Sequence, residues 1–396
     1  MTAFPTSPDS LQLIQRGLTE LISEAELRKK LAAGRPLRIK AGFDPTAPNL
    51  HLGHVVLFRK LAHFQKLGHT VIFLIGDFTG MIGDPSGRLS DRPDLTPEQV
   101  LQNARTYQEQ IGRILDVKKL EVRFNSEWFG PMRLADFLGI ARKLMVPRLL
   151  ERDDFTERLK SGASLTVTEA MYPLLQGYDS VMLKADLELG GSDQKFNLLM
   201  GRLFQERFNQ PPQVVATLPL LEGTDGVKKM SKSYGNAVGI TEPPQEMFGK
   251  LMSIPDALTP KYFELLTDAD LKEVKTLHPM EAKQRLAREI IAQFHGQGAA
   301  DAAQKHFDTV FRKRDLPEEI PTYRVPAGLI EKRQASLAEI LAGSGAAPSK
   351  GEARRLIQQG AVDLDGVVQK DPHGKIPVKN GSVLKVGKRR FLKLLI

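Results

Sequence analysis

The chain has 396 residues, of which 41% are hydrophobic and 26% charged, values typical of a globular protein with room for two or three domains. It has no cysteine, which excludes disulfides, thiolate-bound zinc, iron–sulfur clusters and cysteine nucleophiles. No apolar run approaches the roughly 20 residues of a membrane-spanning helix, and the N-terminus lacks the basic and apolar regions of a secretory signal. We therefore expect a cytoplasmic protein without a membrane partner.

The net charge of +9 is concentrated at the C-terminal end of the chain. Residues 333–396 carry 12 Lys and Arg against 5 Asp and Glu, a net charge of +7, which leaves +2 for the other 332 residues. This distribution is typical of a nearly neutral enzyme body joined to a segment that binds a polyanion.

Alternating strands and helices are predicted for the first part of the chain. Residues 37–43 and 71–76 are strand-length segments, and residues 54–68 between them repeat apolar side chains at helical spacing. Strand, helix and strand in this order form a right-handed parallel unit, so the pattern predicts an α/β fold with a doubly wound parallel sheet.

Helices replace this alternation beyond about residue 240. Leu286, Ile290 and Phe294 form one apolar stripe on a predicted helix. A proline-rich linker follows, and the last segment is predicted to have short helices at 336–342 and around 352–359, then short strands separated by glycines. We predict three domains, with boundaries at 1–240, 241–330 and 334–396.

The segment from Gly42 to His54, GFDPTAPNLHLGH, is a candidate phosphate site. His51 and His54 would share one face at a helix N-terminus, beside free backbone N–H groups and the positive end of the helix dipole. Gly53 would let a nucleotide approach the backbone, and Thr46 could add a hydroxyl donor. The alternatives are an ordinary pair of surface or core histidines, or half of a metal site.

The loop KMSKS, which runs from Lys229 to Ser233, places two lysines among small residues. Lys229 and Lys232 could close over a triphosphate and stabilise negative charge as pyrophosphate departs. The alternative is a solvated basic loop. Taken together, the histidine segment and this loop resemble the two signature sequences of class I aminoacyl-tRNA synthetases.

Four finer segments are similar to those of the tyrosine-specific synthetases, and the resemblance extends over essentially the whole chain. They are GFDPTA, GDFTGMIGDPSG, MYPLLQGYD and GGSDQ. The resemblance implies a Rossmann-like catalytic domain, an α-helical domain and a small α+β RNA-binding domain. It also implies a reaction, in which ATP activates tyrosine to tyrosyl-adenylate and the tyrosyl group then passes to the 3'-terminal ribose of tyrosine tRNA.

The resemblance implies tyrosine-binding roles for five residues. Asp84, Tyr172 and Gln176 would hold the ammonium, Asp179 would accept the phenolic proton, and Gln194 would lie near the carboxylate. The spacing of Tyr172, Gln176 and Asp179 places all three on one face of a helix; the alternative for Tyr172 and Gln176 is ordinary helix packing.

Contacts with ATP are implied on both signatures and on two further loops. Magnesium would arrive with ATP rather than occupy a protein cage. The implied contacts are Thr46 and His51 on pyrophosphate, His54 by the ribose, Gly53 and Gly191 where the nucleotide approaches the backbone, Asp193 on the ribose, Lys229 and Lys232 above the phosphates, and the basic loop residues Arg88 and Arg92.

The basic C-terminal segment resembles the small RNA-binding domain shared with ribosomal protein S-four. The motifs are SKGEARRLIQQG from Ser349 and GKRRF ending at Phe391. A solvated basic surface is the alternative. The candidate RNA contacts are Lys350, Arg354, Arg355, Lys388, Arg389 and Arg390. The family also suggests a homodimer formed through residues 129–166.

One position departs from the family pattern, because many members carry a tyrosine two residues before the glycine of GFDPTA and this chain has Lys40. Three other functions compete with the tyrosine-specific one. They are a tryptophan-specific synthetase, a non-catalytic RNA-binding descendant of a synthetase, and a simple nucleotidyltransferase. A tryptophan-specific enzyme would not need Asp179 opposite a phenol. A non-catalytic protein would not need the four His and Lys residues of the two signatures, and a nucleotidyltransferase would not need the basic C-terminal segment.

Overall fold

The structure is a computed structural model that describes residues 8–45, 49–83, 96–314, 320–330, 334–365, 367–377, 379–387 and 390–396. The chain divides into two compact units, Met1–Gln304 and Lys305–Ile396, with the boundary inside one long helix. The division into three domains made from the sequence stays a prediction.

A six-stranded sheet forms the centre of the first unit, in the order β1-β6-β5-β2-β3-β4. Strands β2 to β6 are all parallel, and β1 pairs antiparallel with β6 at one edge. The doubly wound parallel sheet predicted from the sequence is confirmed. The strands are β1 (Glu20–Ile22), β2 (Arg38–Phe43), β3 (Thr70–Ile75), β4 (Leu120–Phe124), β5 (Leu187–Gly191) and β6 (Val214–Leu218).

Fifteen helices follow in chain order among the described residues, the last of them shared with the second unit. They are α1 (Pro8–Gln15), α2 (Glu24–Ala32), α3 (Leu52–Lys66), α4 (Pro97–Ile111), α5 (Ser126–Phe129), α6 (Leu134–Ala141), α7 (Val146–Leu149), α8 (Asp153–Ser161), α9 (Val167–Leu183), α10 (Lys195–Arg207), α11 (Pro244–Ser253), α12 (Thr259–Leu266), α13 (Leu271–Val274), α14 (Pro279–His295) and α15 (Gln297–Arg314). α14 buries Leu286, Ile290 and Phe294, the stripe predicted from its spacing.

The order of the strands creates a crevice between β2 and β5. From β2 the chain continues to β3 and β4 on one side, and β5 and β6 lie on the other side. The β2–β5 ladder pairs Ile39 with Leu187 and Lys40 with Glu188, before the carboxyl ends of both strands. Open α/β sheets bind ligands at such a topological switch point, so the fold predicts the site at this crevice.

Helix α9 is fixed at both ends and packs closely on α10. Its first turn has a capping box between Thr166 and Glu169, and its last residue is followed by Lys184 in the left-handed conformation, at φ 47°. A Cβ on Gly177 would lie 3.0 Å from the carbonyl oxygen of Met200, so only glycine allows this close approach of the two helices. The close packing gives the side chains of α9 a rigid base.

The second unit contains a five-stranded sheet in the order β10-β9-β12-β13-β7 and a two-stranded sheet of β8 and β11. Two helices pack together over a core that includes Leu341, Ile357, Leu384 and Leu394. The small α+β domain predicted here is confirmed. Its elements are β7 (Thr322–Arg324), β8 (Gln334–Ser336), α16 (Leu337–Gly343), α17 (Lys350–Gln358), β9 (Val362–Leu364), β10 (Val367–Gln369), β11 (Lys375–Pro377), β12 (Val383–Val386) and β13 (Arg390–Leu395).

Within the described ranges, no helix has the length and apolar character needed to cross a membrane.

Candidate active site

A cavity of about 230 Å³ lies at the carboxyl ends of β2 and β5. Gly42 and Asp44 from the end of β2 line it, as does Gly190 from β5. The structure brings five of the predicted site residues to this cavity. They are His54, Tyr172, Gln176, Asp179 and Gln194.

Asp44 organises the wall of the cavity where α9 begins. Its two carboxylate oxygens accept hydrogen bonds from the Tyr172 hydroxyl at 2.7 Å and from the Thr79 hydroxyl at 2.9 Å. Asp44 lies within the GFDPTA segment, but no role was predicted for it from the sequence. An acidic residue directly after a parallel strand was the signal that could have identified it.

Asp179 lies at the buried end of the cavity, with 3% of its surface exposed. The indole Nε1–H of Trp128 donates to Asp179 Oδ1 at 2.9 Å. Burial raises the pKa of Asp179 to about 7, while the charge of Lys40 and the bond from Trp128 oppose the rise. A buried carboxylate with one oxygen held by an indole is suited to accept a hydroxyl proton.

Asn125 and Trp128 support this end of the cavity and were missed in the sequence analysis. Asn125 is fully buried, accepts a bond from the Phe78 N–H at 2.9 Å and donates to the Thr79 hydroxyl at 2.9 Å. Trp128 is the only tryptophan of the chain, and this rarity could have marked it as a candidate site residue. Asn125 directly follows β4, again at the carboxyl end of a parallel strand.

The histidine pair forms the N-terminus of α3 as predicted. His51 caps the helix, with Nδ1 accepting from the Gly53 N–H at 3.1 Å, and His54 Nδ1 accepts from the His51 N–H at 3.3 Å. Burial lowers the pKa of both rings, that of His54 to about 4, and the Lys232 charge lowers both further. Both rings are therefore neutral at pH 7, and because Nδ1 accepts, each carries its proton on Nε2 as a donor.

The lysine loop lies against the histidine segment. Lys232 Nζ donates to the carbonyl of Asn49 at 2.7 Å, two residues before His51, and His51 forms a β-bridge with Gly239 beyond the loop. Lys229 Nζ pairs with Asp193 Oδ2 at 3.1 Å. The two signatures and the GGSDQ turn thus meet on one side of the first unit.

Asn236 fixes the conformation of the lysine loop and was also missed. It is 3% exposed, accepts from the Ser231 N–H at 2.8 Å and donates to Asp225 at 2.9 Å. A Cβ on Gly223 would lie 2.2 Å from the Asn236 side chain, so the glycine leaves space for this anchor. Because Asn236 lies outside the KMSKS loop, no pattern in the sequence indicated this role.

Two glycines assigned to nucleotide binding also have local reasons to be glycine. A Cβ on Gly53 would lie 2.9 Å from the His51 ring, and one on Gly191 would lie 2.6 Å from Asp193 Oδ1. Each glycine therefore permits a neighbouring polar side chain to fold back over the backbone. Their contact with a nucleotide stays a prediction.

Several predicted residues lie outside the described residues: Thr46, Asp84, Arg88, Arg92, Lys388 and Arg389. On α17, Lys350, Arg354 and Arg355 are all exposed. Lys350 pairs with Glu339 at 2.6 Å and Arg355 pairs with Glu352 at 2.7 Å, while Arg390 donates to a backbone carbonyl at 3.1 Å. Exposed pairs of this kind contribute little to stability, so a polyanion can compete for these cations.

In the part of the chain that the structure describes, no cluster of three or more His, Asp or Glu side chains could hold a metal ion. The expectation that magnesium comes with ATP stays a prediction.

Two family models together match most of the chain. The model for tRNA synthetases class I (W and Y) matches residues 32–312, and the model for the tyrosine--tRNA ligase SYY-like C-terminal domain matches residues 316–392. Among curated proteins, the tyrosine--tRNA ligase of Oleidesulfovibrio alaskensis is 55% identical and that of Carboxydothermus hydrogenoformans 51% identical. The alignments cover 98% of both chains in the first comparison and 97% of both in the second.

Solved structures share much of this fold. A tyrosyl-tRNA synthetase from Archaeoglobus fulgidus, complexed with L-tyrosine, gives a TM-score of 0.60 at 23% identity. The match covers 75% of this chain and 98% of that one. A C-terminally truncated mitochondrial tyrosyl-tRNA synthetase from Coccidioides posadasii gives a TM-score of 0.61 at 24% identity, over 77% and 92% of the two chains.

Proposed function

This chain belongs to the tyrosine–tRNA ligases among the class I tRNA synthetases, and we propose that its cavity between β2 and β5 is where tyrosine reacts with ATP. The reaction of this family has two steps. Tyrosine and ATP give tyrosyl-adenylate and pyrophosphate, and the tyrosyl group then passes to tRNA. The observation that carries the assignment is a buried acceptor, Asp179, in a cavity that Tyr172 and Gln176 of the same helix and His54 of the first signature also line.

The first step requires positioning and charge stabilisation rather than a general base. The carboxylate of tyrosine is already an anion at neutral pH, and one of its oxygens attacks the α-phosphorus of ATP directly. The bond from that phosphorus to the bridging oxygen breaks, and the electron pair leaves with pyrophosphate. Catalysis then depends on holding the two substrates in line and on stabilising the developing charge.

Tyrosine would lie along α9 with its phenol at Asp179. The ammonium would meet Gln176 and the Tyr172 oxygen, whose hydroxyl is oriented by Asp44 at 2.7 Å. The carboxylate would then point out of the cavity toward Gln194. The side-chain oxygen of Gln194 accepts a 3.0 Å hydrogen bond from the Asn197 amide, which holds Gln194 in place. This orientation presents the nucleophile to the phosphates.

The histidine and lysine segments would stabilise the phosphates. The neutral rings of His51 and His54 each offer an Nε2–H donor, which can bond phosphate or ribose oxygens. Lys229 and Lys232 add positive charge from the loop that Asn236 holds. Binding of ATP would take Lys229 from its pair with Asp193 and release that carboxylate for the ribose hydroxyls.

In the second step a hydroxyl of the terminal tRNA ribose attacks the tyrosyl carbonyl carbon. AMP leaves with the electron pair of its bond to that carbon, and the hydroxyl proton passes to the departing phosphate. Magnesium would enter with the phosphates of ATP. We propose that the protein acts in the cytoplasm, where ATP and tRNA are both present.

ATP–pyrophosphate exchange with each of the twenty amino acids in turn tests the proposal. We expect exchange with tyrosine and none above background with tryptophan or phenylalanine. Exchange with tryptophan would keep the fold and overturn the role of Asp179. Absence of exchange with every amino acid would favour a non-catalytic RNA-binding protein.

We propose that the second unit binds tRNA through the exposed cations of α17. Deletion of residues 334–396 should leave tyrosine-dependent exchange within about twofold and reduce tRNA charging by at least about 100-fold, since phosphate contacts dominate such affinity. In the full chain, combined alanine substitution of Lys350, Arg354 and Arg355 should weaken charging and flatten its salt dependence. Charging by the truncated protein at the full rate would contradict this role.

We propose that a second copy of this chain covers an apolar surface on the first unit. Seven large apolar side chains between residues 134 and 167 are exposed, more than in any other stretch of similar length within the described ranges. Isolated exposed apolar residues are common, but a group of this size is typical of an interface. The residues are Leu134, Leu138, Met145, Val146, Leu150, Leu159 and Val167.

Light scattering at micromolar concentration should give twice the mass of one chain. Lysine substitutions at Leu134 and Val146 together should halve that mass, because each would place a charge in the interface. Met280→Lys, at an exposed apolar residue of α14, is the matched control and should leave the dimer intact. A monomeric wild-type protein would contradict the proposal.

A further inference from the structure

We propose that Lys40, paired with Glu188, is a positioning residue that fixes the phenol-binding end of the cavity and thereby sets the preference for tyrosine over phenylalanine. The inference rests on the proposed site, because it assigns the phenol to Asp179. It concerns two buried charged residues that the reaction itself does not require.

The pair lies at the floor of the cavity. Lys40 and Glu188 are neighbours across the β2–β5 ladder, and both line the cavity. Lys40 Nζ is 2.8 Å from Glu188 Oε1, and the two side chains are 0% and 1% exposed. Such a pair is costly to bury and is seldom the most stable solution, so a role beyond stability is worth testing.

The Lys40 ammonium donates all three of its protons to acceptors within the protein. Besides the bond to Glu188, it donates to the Ser180 hydroxyl at 2.8 Å and to the carbonyl of Gln176 at 3.2 Å. An ammonium has three donors, so none remains for a substrate. Lys40 therefore acts through α9, because two of its three acceptors are on that helix, on either side of Asp179.

Glu188 on β5 also forms hydrogen bonds with α9. Its carboxylate also accepts from the Ser180 hydroxyl at 3.0 Å, from the amide of Gln213, and from Gln176 Nε2 at 3.4 Å. A Cβ on Gly201 would lie 2.2 Å from the Gln213 amide, so a glycine of α10 leaves room for this network. Strands β2 and β5 and helix α9 are thus tied together one residue from the phenol acceptor.

Lys40 and Glu188 also contribute to the electrostatic potential at the Asp179 carboxyl. The groups facing this carboxyl are Lys40 from β2, Glu188 from β5, and Trp128 and Asn125 from the chain after β4. The Lys40 charge lowers the pKa of Asp179 more than Glu188 raises it, so the pair together favours the ionised acceptor at neutral pH. Removal of both charges should favour the protonated form.

The test compares wild-type protein with a Lys40→Met and Glu188→Gln double variant. A single Lys40→Met variant leaves Glu188 buried without a partner and could fail to fold, whereas the double variant has neutral side chains of similar shape. Lys60→Met is the matched control, because Lys60 is also buried and donates its three protons to carbonyls of Leu13, Ile14 and Arg16, remote from this cavity.

For the double variant we expect KM for tyrosine to rise at least about tenfold, while KM for ATP stays within about twofold of the wild-type value. The preference for tyrosine over phenylalanine should fall about tenfold or more. The pH below which tyrosine binding weakens should move upward. Lys60→Met should change the unfolding temperature but neither the preference nor the pH profile.

An unchanged preference and pH profile in a folded double variant would overturn the inference, as would an equal rise in both KM values. Wild-type protein that fails to exchange with tyrosine would instead contradict the proposed site. The two failures are therefore distinguishable in the same assay.

Discussion

Asp179→Ala should reduce kcat/KM for tyrosine activation by about a thousandfold or more while leaving ATP binding close to normal. The variant removes the acceptor for the phenol and leaves the Trp128 indole N–H, which now bonds Asp179 at 2.9 Å, without its partner. Sites built to bond a substrate hydroxyl lose recognition steeply when a partner is missing; the tyrosine-specific synthetases themselves are the standard example, at roughly 10⁵ against phenylalanine. The measurement is ATP–pyrophosphate exchange as a function of tyrosine concentration.

The pH dependence of the same residue gives an independent readout. Burial raises the pKa of Asp179 to about 7, so the ionised acceptor becomes protonated as the pH falls through that value. KM for tyrosine should therefore rise below pH 7, by up to tenfold per pH unit, and level off above it. Asp179→Asn should remove this dependence.

Asp193→Asn provides the contrast within the site, because that carboxyl lies at the nucleotide side, paired with Lys229 at 3.1 Å. It should raise KM for ATP and leave KM for tyrosine unchanged. If Asp179→Ala activated tyrosine at a rate near that of wild type, the phenol would have to bind elsewhere in the cavity.

Alanine at Lys229 and Lys232 should each lower kcat for tyrosyl-adenylate formation by about 10²–10³-fold, with small changes in KM. Their charge is needed most when the bond to pyrophosphate breaks, and removal of one group that stabilises a transition state has effects of this size. Single-turnover formation of tyrosyl-adenylate measures the step directly. Comparison of kcat with KM separates loss of transition-state stabilisation from loss of binding.

Lys228→Ala is the matched control for this pair. Lys228 is adjacent in sequence, but its Nζ lies 5.1 Å from the centre of the Tyr234 ring. It should leave kcat within about twofold. Equal losses for all three lysines would mean that the loop acts only through its total charge and that neither signature lysine has a specific position.

From the sequence alone, the fold class and the family could be predicted, and five of the residues that line the cavity were candidates for the site. Local patterns sufficed for this, because the period of apolar side chains specifies strands and helices, and residues four and three apart on α9 must share a face. The apolar stripe of α14, the histidine pair at the N-terminus of α3 and the α9 face of Tyr172, Gln176 and Asp179 are all of this kind.

Which residues from distant segments support that site could be seen only in the folded chain. Asp44 bonds Tyr172 across 128 positions and Trp128 bonds Asp179 across 51, and no spacing in the sequence indicates such contacts. The same holds for Lys40, which in the sequence is an unexplained departure from the family pattern. In the fold it becomes a buried partner of Glu188, because the β2–β5 crossover places the two side by side. Burial and long-range pairing set these energies, and both exist only once the chain has folded.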